Sequence, residues 1–246
     1  MKKVLVLGVL TAFATGVWAQ QPAAEKSTSS WKSSLSGLEI GTRILYTQLK
    51  DDQKGDGLNR SFIGTLNYLD EEQDYVPDRI YIQYFFNEYI GLGVSYDHIE
   101  AKTLERNSAV IEGGSGAGDG KVGARGAILY AVGRYPTDSA FTPFAEIGVG
   151  FYSSYFDEDA DWKYDNVKRR ERHMNTDNAT AFVLGLGCDY QINDNWSVNV
   201  YGRLVAGLDI DTTADYVYKS KPSETFREGS FPLDYYGFGV GVKYAF

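Results

Sequence analysis

The last fourteen residues, LDYYGFGVGVKYAF (233–246), restrict the possible folds more than any other stretch. In steps of two, Tyr236, Phe238, Val240, Val242, Tyr244 and Phe246 share one face, while Tyr235, Gly237, Gly239, Gly241, Lys243 and Ala245 share the other. Period two marks a β-strand. One face is aromatic or β-branched throughout; the other is mostly glycine with a single lysine. A packed soluble core needs volume on its inward side, so three glycines are out of place there. Lipid outside and a narrow, crowded lumen inside account for both faces. The stretch predicts the closing strand of a small transmembrane β-barrel.

At the other end, Lys2 and Lys3, an apolar run from Val4 to Val17 and the Val17-Trp18-Ala19 cleavage pattern predict a secretory signal peptide over residues 1–19. The run is too short for a membrane span. A Ser-rich periplasmic lead-in is expected at 20–36. Nothing later is long and apolar enough for a membrane helix, which says nothing against a barrel, because barrel strands carry only alternate apolar residues. The 19 Tyr, 13 Phe and 27 Gly suit such strands. A net charge of −9, or −11 without Lys2 and Lys3, disfavours a nucleic-acid partner. The single Cys188 permits no internal disulfide and is expected to face lipid.

Seven further alternating stretches predict strands at 37–49, 79–86, 90–102, 121–135, 141–156, 178–192 and 196–211. Long polar connections at 50–78, 105–120, 157–177 and 212–232 alternate with tight turns at 87–89, 136–140 and 193–195. Within the first connection, SFIGTLNYL (61–69) reads either as a strand extension or as a cap. The expected fold over residues 37–246 is all-β: an eight-stranded antiparallel transmembrane barrel with four long extracellular loops and three short periplasmic turns. Tyr89, Tyr135, Phe141, Trp196 and Phe246 are placed at the periplasmic interface, and Tyr46, Tyr96 and Tyr155 at the outer one.

Alternation assigns a charged lumen: Arg43, Arg79, Arg125, Arg203 and Lys243 against Glu39, Asp97, Glu146 and Asp189. Eight strands enclose a space only just filled by side chains, and unpaired charge there is heavily penalised. A paired plug is therefore preferred to a gated polar pore. Toward the outer side, Leu45, Tyr81, Ile99, Tyr152, Val183, Val205 and Tyr235 face inward. They make either an apolar vestibule for a small hydrophobic ligand or a simple packed layer; the sequence leaves both open.

Three hairpin pieces, FTPFAEIGVGFYSSYF (141–156), LGLGCDYQINDNWSVNVYGRLV (184–205) and the closing strand, resemble the OmpW family of small outer-membrane barrels. FFNEYIGLGVSY (85–96) is a weaker match. The resemblance implies a cell outer-membrane location in a Gram-negative-type bacterium. It also implies an apolar lumen and a lateral exit associated with passage of small hydrophobic compounds. By the same likeness, Tyr244 and Phe246 are expected to serve recognition by the barrel-assembly machinery.

A lipid A-modifying enzyme or a protease would need a nucleophile or base. Only His98 and His173 are available, and neither has a serine of suitable placement, so no enzyme is expected. A third possibility is a structural or surface-binding barrel. Its acidic stretches DDQKGDG (51–57) and DEDAD (157–161) would hold Ca²⁺ or Mg²⁺, or its basic KRRER (168–172) would meet lipopolysaccharide phosphates. Neither acidic stretch is a complete calcium loop, and no metal site is expected. No nucleotide loop or Cys/His cluster is present, so no cofactor is expected. The expected partners are outer-membrane lipids and lipopolysaccharide, the assembly machinery and a small hydrophobic ligand.

Overall fold

Among the described residues, fourteen strands follow in chain order: β1 (Leu38–Leu49), β2 (Asp56–Gly57), β3 (Leu66–Glu71), β4 (Arg79–Phe85), β5 (Ile90–Glu105), β6 (Gly120–Arg134), β7 (Phe141–Glu158), β8 (Tyr164–Asp165), β9 (Arg170–Thr176), β10 (Ala179–Gln191), β11 (Trp196–Ala206), β12 (Asp209–Tyr218), β13 (Glu224–Pro232) and β14 (Tyr235–Ala245). The computed structural model describes residues 37–50, 56–57, 66–105, 120–165, 169–219 and 221–246. The signal peptide and lead-in expected over 1–36, most of DDQKGDG and most of the glycine-rich 113–120 tract lie outside the described residues.

Strands β1, β4, β5, β6, β7, β10, β11 and β14 pair antiparallel in that order, and β14 returns to β1. The closing register runs from Glu39↔Ala245 to Leu49↔Tyr235. Closure leaves no barrel strand as an open edge, which a lipid environment requires. The glycines of β14 make this seam possible. A Cβ at Gly239 would strike the Ile44 carbonyl oxygen, and one at Gly241 would sit 2.8 Å from Arg43 Cγ. The glycine face thus gives room for β1 side chains to cross the lumen.

Two tight turns are built by asparagines. Asn87 Oδ1 accepts from the N–H groups of Tyr89 (2.8 Å) and Ile90 (2.9 Å), and Asn193 Oδ1 from those of Asn195 (3.0 Å) and Trp196 (2.9 Å). Each side chain supplies the acceptor that the reversing backbone lacks. The outward face is apolar: Ile82, Leu92, Leu129, Ile147, Leu186, Val200 and Val240 are all exposed. Aromatic pairs gather at the turn end, including Trp196–Tyr244 at 5.0 Å and Phe141–Tyr190 at 5.1 Å between ring centres. This is the lipid-facing band and girdle of a membrane barrel.

The outer side departs from a set of plain loops. The connections expected at 157–177 and 212–232 contain β8, β9, β12 and β13, which join β2 in a second sheet of order β2-β13-β12-β9-β8. The strand expected to run to residue 211 instead breaks at Gly207, whose φ of 79° is open to glycine at no steric cost. The chain then re-enters as β12. Leu208, Ile210, Phe231 and Leu233 are buried at this junction, with Phe231 stacked on Phe156 at 5.8 Å. Their burial continues the barrel core upward.

A second departure lies in the wall. The last four residues of the undecided stretch, 66–69, open β3, which pairs with the top of β5 from Leu66↔Glu105 to Glu71↔Ala101; residues 61–65 lie outside the described residues. β4 pairs with the same edge of β5 lower down, and its pairing with β1 ends at Arg43↔Arg79. Residues 72–78 cross between β3 and β4. Above Arg43, β1 continues to Leu49 without β4 beside it.

Candidate functional site: the lumen and its wall seam

The lumen is a stack of paired charges. At its periplasmic end Lys243 Nζ donates to Glu39 Oε2 and to Asp189 Oδ2, both at 2.7 Å. Glu39 also accepts from Gln83 Nε2 at 2.7 Å and Arg134 Nη1 at 2.6 Å. In the middle, Arg43 forms a two-pronged pair with Glu146 (2.8 and 3.3 Å). Its guanidinium lies 3.7 Å from the Tyr201 ring centre and 4.2 Å from that of Tyr81. The Tyr201 hydroxyl donates to Glu146 at 2.6 Å. Above them, Asp97 is fully buried and takes the Tyr152 hydroxyl at 2.7 Å and the Tyr235 hydroxyl at 2.5 Å. Arg203 Nη1 lies 2.8 Å from Asp97, and Arg79 Nε lies 3.4 Å from it. Planar, bidentate and ring-stacked contacts of this kind are what arginine makes better than lysine.

Eight of the nine expected lumen charges lie in these groups. Arg125 does not: it is exposed on the outer wall, with Tyr155 beside it. The register explains why. Asp97 and Tyr152 both face inward, and the residue between them on β6 is Gly126, so Val122, Ala124, Ile128, Tyr130 and Val132 point in and Arg125 points out. Arg134, eight residues after Gly126 and on the same face, replaces it as the fifth cation. Lys243 takes Glu39 and Asp189, while Glu146 is held by Arg43.

The seven vestibule residues, Leu45, Tyr81, Ile99, Tyr152, Val183, Val205 and Tyr235, all face inward and are at most 2% exposed. They form a packed layer rather than an open apolar pocket. Three of them are tyrosines with polar duties: Tyr152 and Tyr235 bind Asp97, and Tyr81 stacks on Arg43 and accepts from Asn199 at 3.3 Å. Tyr81, Tyr130 and Tyr201 also lie over Gly41, Gly93 and Gly185 of neighbouring strands, where any Cβ would collide with the ring. Small and large residues therefore interlock, as filled small barrels require.

The 72–78 crossing is tied to the wall largely through side chains. Gln73 accepts from the Thr47 N–H (2.9 Å) and donates to the Thr47 carbonyl (2.5 Å), so one amide replaces a strand partner for β1. Thr42 Oγ1 donates to the Pro77 carbonyl at 2.6 Å. Toward β5, the Glu72 N–H donates to the Glu100 carbonyl at 2.8 Å. The Glu72 carboxylate receives Lys121 at 2.6 Å and Lys102 at 2.9 Å. Lys121 first and Lys102 second hold the Glu72 carboxyl down at about 2. His98 faces this crossing from β5, while His173 lies on β9 beside Glu158 and Glu171. Tyr244 and Phe246 pack edge-to-face at 4.9 Å at the turn end.

Comparison with known proteins agrees with this architecture. No curated protein sequence matches the chain. Among solved structures, the outer membrane protein OprG from Pseudomonas aeruginosa superimposes with a TM-score of 0.58 at 16% identity, covering 86% of this chain and 96% of that one. The outer membrane protein AlkL, solved in lipid bilayers, gives a TM-score of 0.56 at 16% identity, covering 93% and 97%. The E. coli outer membrane protein W is matched at 16% identity with a TM-score of 0.42, covering 86% and 98%. The first two likenesses speak to fold. The sequence itself matches the OmpA-like transmembrane domain over residues 48–226. The chain belongs to the family of OmpA-like transmembrane domains and is a small β-barrel of the bacterial outer membrane.

Proposed function

We propose that this barrel admits small hydrophobic molecules to the outer membrane through its wall seam rather than along its axis. The observation that carries the reading is the interruption above Arg79, where β1 and β5 are bridged by the 72–78 crossing and the Gln73 amide instead of by strand pairing. Below the seam the lumen holds interlocked ion pairs, so a path straight down the axis would have to break buried charge contacts. Beside the seam stand Leu45 on β1 and Ile99 on β5, an apolar lining for a molecule leaving sideways into lipid. The resemblance to OmpW-type barrels supports the same substrate class. A second reading, a surface-binding barrel that meets lipopolysaccharide, is favoured by the folded five-stranded outer sheet.

Catalysis forms no part of this proposal; His98 faces Asp74 and Asp78, and His173 faces Glu158 and Glu171. Removal of residues 1–19 on export and recognition of Tyr244 and Phe246 by the assembly machinery belong to the same proposal. The test is entry of the apolar dye N-phenylnaphthylamine into cells carrying the protein. Gln73→Ala should speed entry relative to the wild type, and both should exceed cells lacking the protein. Equal rates in all three would overturn the reading.

A further inference from the structure

Three side chains that are far from adjacent in sequence converge on the outer surface of the seam. Asp74 and Asp78 come from the crossing, and His98 points at them from β5. His98 Nε2 lies 3.4 Å from Asp74 Oδ2, and His98 Nδ1 lies 3.6 Å from Asp78 Oδ2. One ligand atom from each residue falls within 4.8 Å of the other two.

The local hydrogen bonding leaves these atoms available. Asp74 uses Oδ1 to accept the Val76 N–H at 2.9 Å, which turns Oδ2 toward the histidine. Asp78 Oδ1 and His98 Nδ1 are buried yet have no hydrogen-bond partner. Buried polar atoms are normally satisfied, and orphans at one spot call for an explanation such as an ion. The neighbouring cation meets it only in part: Arg79 directs Nε to Asp97 and Nη2 to the His98 carbonyl, and its Nη1, also without a hydrogen-bond partner, makes a long ion pair of 3.8 Å with Asp78 Oδ1, which leaves His98 Nδ1 unmet. Arg125, opposite His98 on β6, stands by Tyr155 instead.

We propose that Asp74, Asp78 and His98 bind a divalent transition-metal ion, with Zn²⁺ the best match, and that the ion staples the 72–78 crossing to β5. One imidazole and two carboxylates suit zinc, and on a tetrahedral ion with bonds of about 2.0–2.1 Å the donors lie about 3.4 Å apart. That is the separation of His98 Nε2 from Asp74 Oδ2; Asp78 stands 3.6 Å from the other ring nitrogen, so it reaches the same ion only by closing from within the 4.8 Å that separates the three donors. Three protein ligands leave the fourth position to water. Magnesium, which demands octahedral oxygen ligation, is poorly served by the imidazole.

The experiment is calorimetric titration of the full chain, refolded in detergent micelles and stripped with chelator, with ZnCl₂. The expected result is one saturable site. His98→Ala and the Asp74→Asn/Asp78→Asn pair should each weaken it at least about tenfold, His173→Ala should leave it unchanged, and MgCl₂ should give no saturable heat. Co²⁺ should produce visible ligand-field bands in the wild type that vanish in His98→Ala. Retention of the heat-dependent gel mobility of a folded barrel verifies that each variant is intact. Absence of a saturable zinc site, or equal affinity in His98→Ala, overturns the proposal. Zinc binding is read without any transport measurement, so its failure and that of the lateral route are separable.

Discussion

Replacing Asp97 by asparagine removes the single negative charge that two arginines and two tyrosines address. The carboxylate is wholly buried, with Tyr235 at 2.5 Å, Tyr152 at 2.7 Å, Arg203 at 2.8 Å and Arg79 at 3.4 Å. Asparagine matches its volume but turns an amide N–H₂ toward groups that are themselves donors. Arg203 and Arg79 are only 4% and 3% exposed, so neither can recover the loss from water. Breaking a buried pair by removing one partner costs about 3–5 kcal/mol, and hydrogen bonds to charged groups about 1.5–3 kcal/mol each, not additively. The expected loss for Asp97→Asn is therefore about 3–5 kcal/mol. It should be read by urea denaturation of the micelle-refolded barrel, followed by tryptophan fluorescence. Adding Arg203→Leu should restore part of the loss, because a buried charge then leaves with its partner. A loss below about 1 kcal/mol would refute the reasoning, since a single hydrogen bond to a charged group already exceeds that figure.

Arg134→Ala should destabilise the barrel by about 1–3 kcal/mol because it strips a buried carboxylate, Glu39, of one donor; Arg125→Ala, on the outer wall, should stay within about 0.5 kcal/mol in the same assay. Gly239→Ala should lower the yield of folded barrel on gels, because its Cβ meets the Ile44 carbonyl; Gly133→Ala, whose Cβ has 4.0 Å of clearance, should fold normally. Glu72 has a folded-state pKa near 2 against an ordinary 4.5, so its contribution to holding the crossing is complete above about pH 4.5 and is lost as pH falls through 2. A carbon-detected NMR titration of its carboxyl group should show a midpoint near 2 that rises toward 4.5 in Lys121→Met; a midpoint near 4.5 in the wild type would contradict the ion-pair cluster.

What the sequence revealed follows from how strongly each strand separates its faces. β14 and β1 alternate cleanly, and their inward charges and outward aromatics were readable without a structure. β6 does not: Lys121, Ala127 and Leu129 on one face oppose Val122, Ile128 and Tyr130 on the other. Only the pairing of Gly126 with Asp97 and Tyr152 decides its orientation, and that is a property of three strands together. The outer sheet escaped notice because its strands are short and polar on one side, and its burial comes from residues such as Phe231 and Leu208 that meet only after Gly207 turns the chain. The seam and its histidine cluster were hidden for a related reason. Gln73 acts as a strand substitute through its side chain, which no periodicity records, and Asp74, Asp78 and His98 have no metal-binding spacing in the chain.

The central claim is that molecules pass through the wall where Gln73 bridges Thr47. With Thr47→Cys and Gln73→Cys introduced in a Cys188→Ser background, a short reducible methanethiosulfonate cross-linker can tie the crossing to β1. The account predicts that dye entry stops when the link forms and resumes on reduction. Unchanged entry in the linked barrel would contradict it.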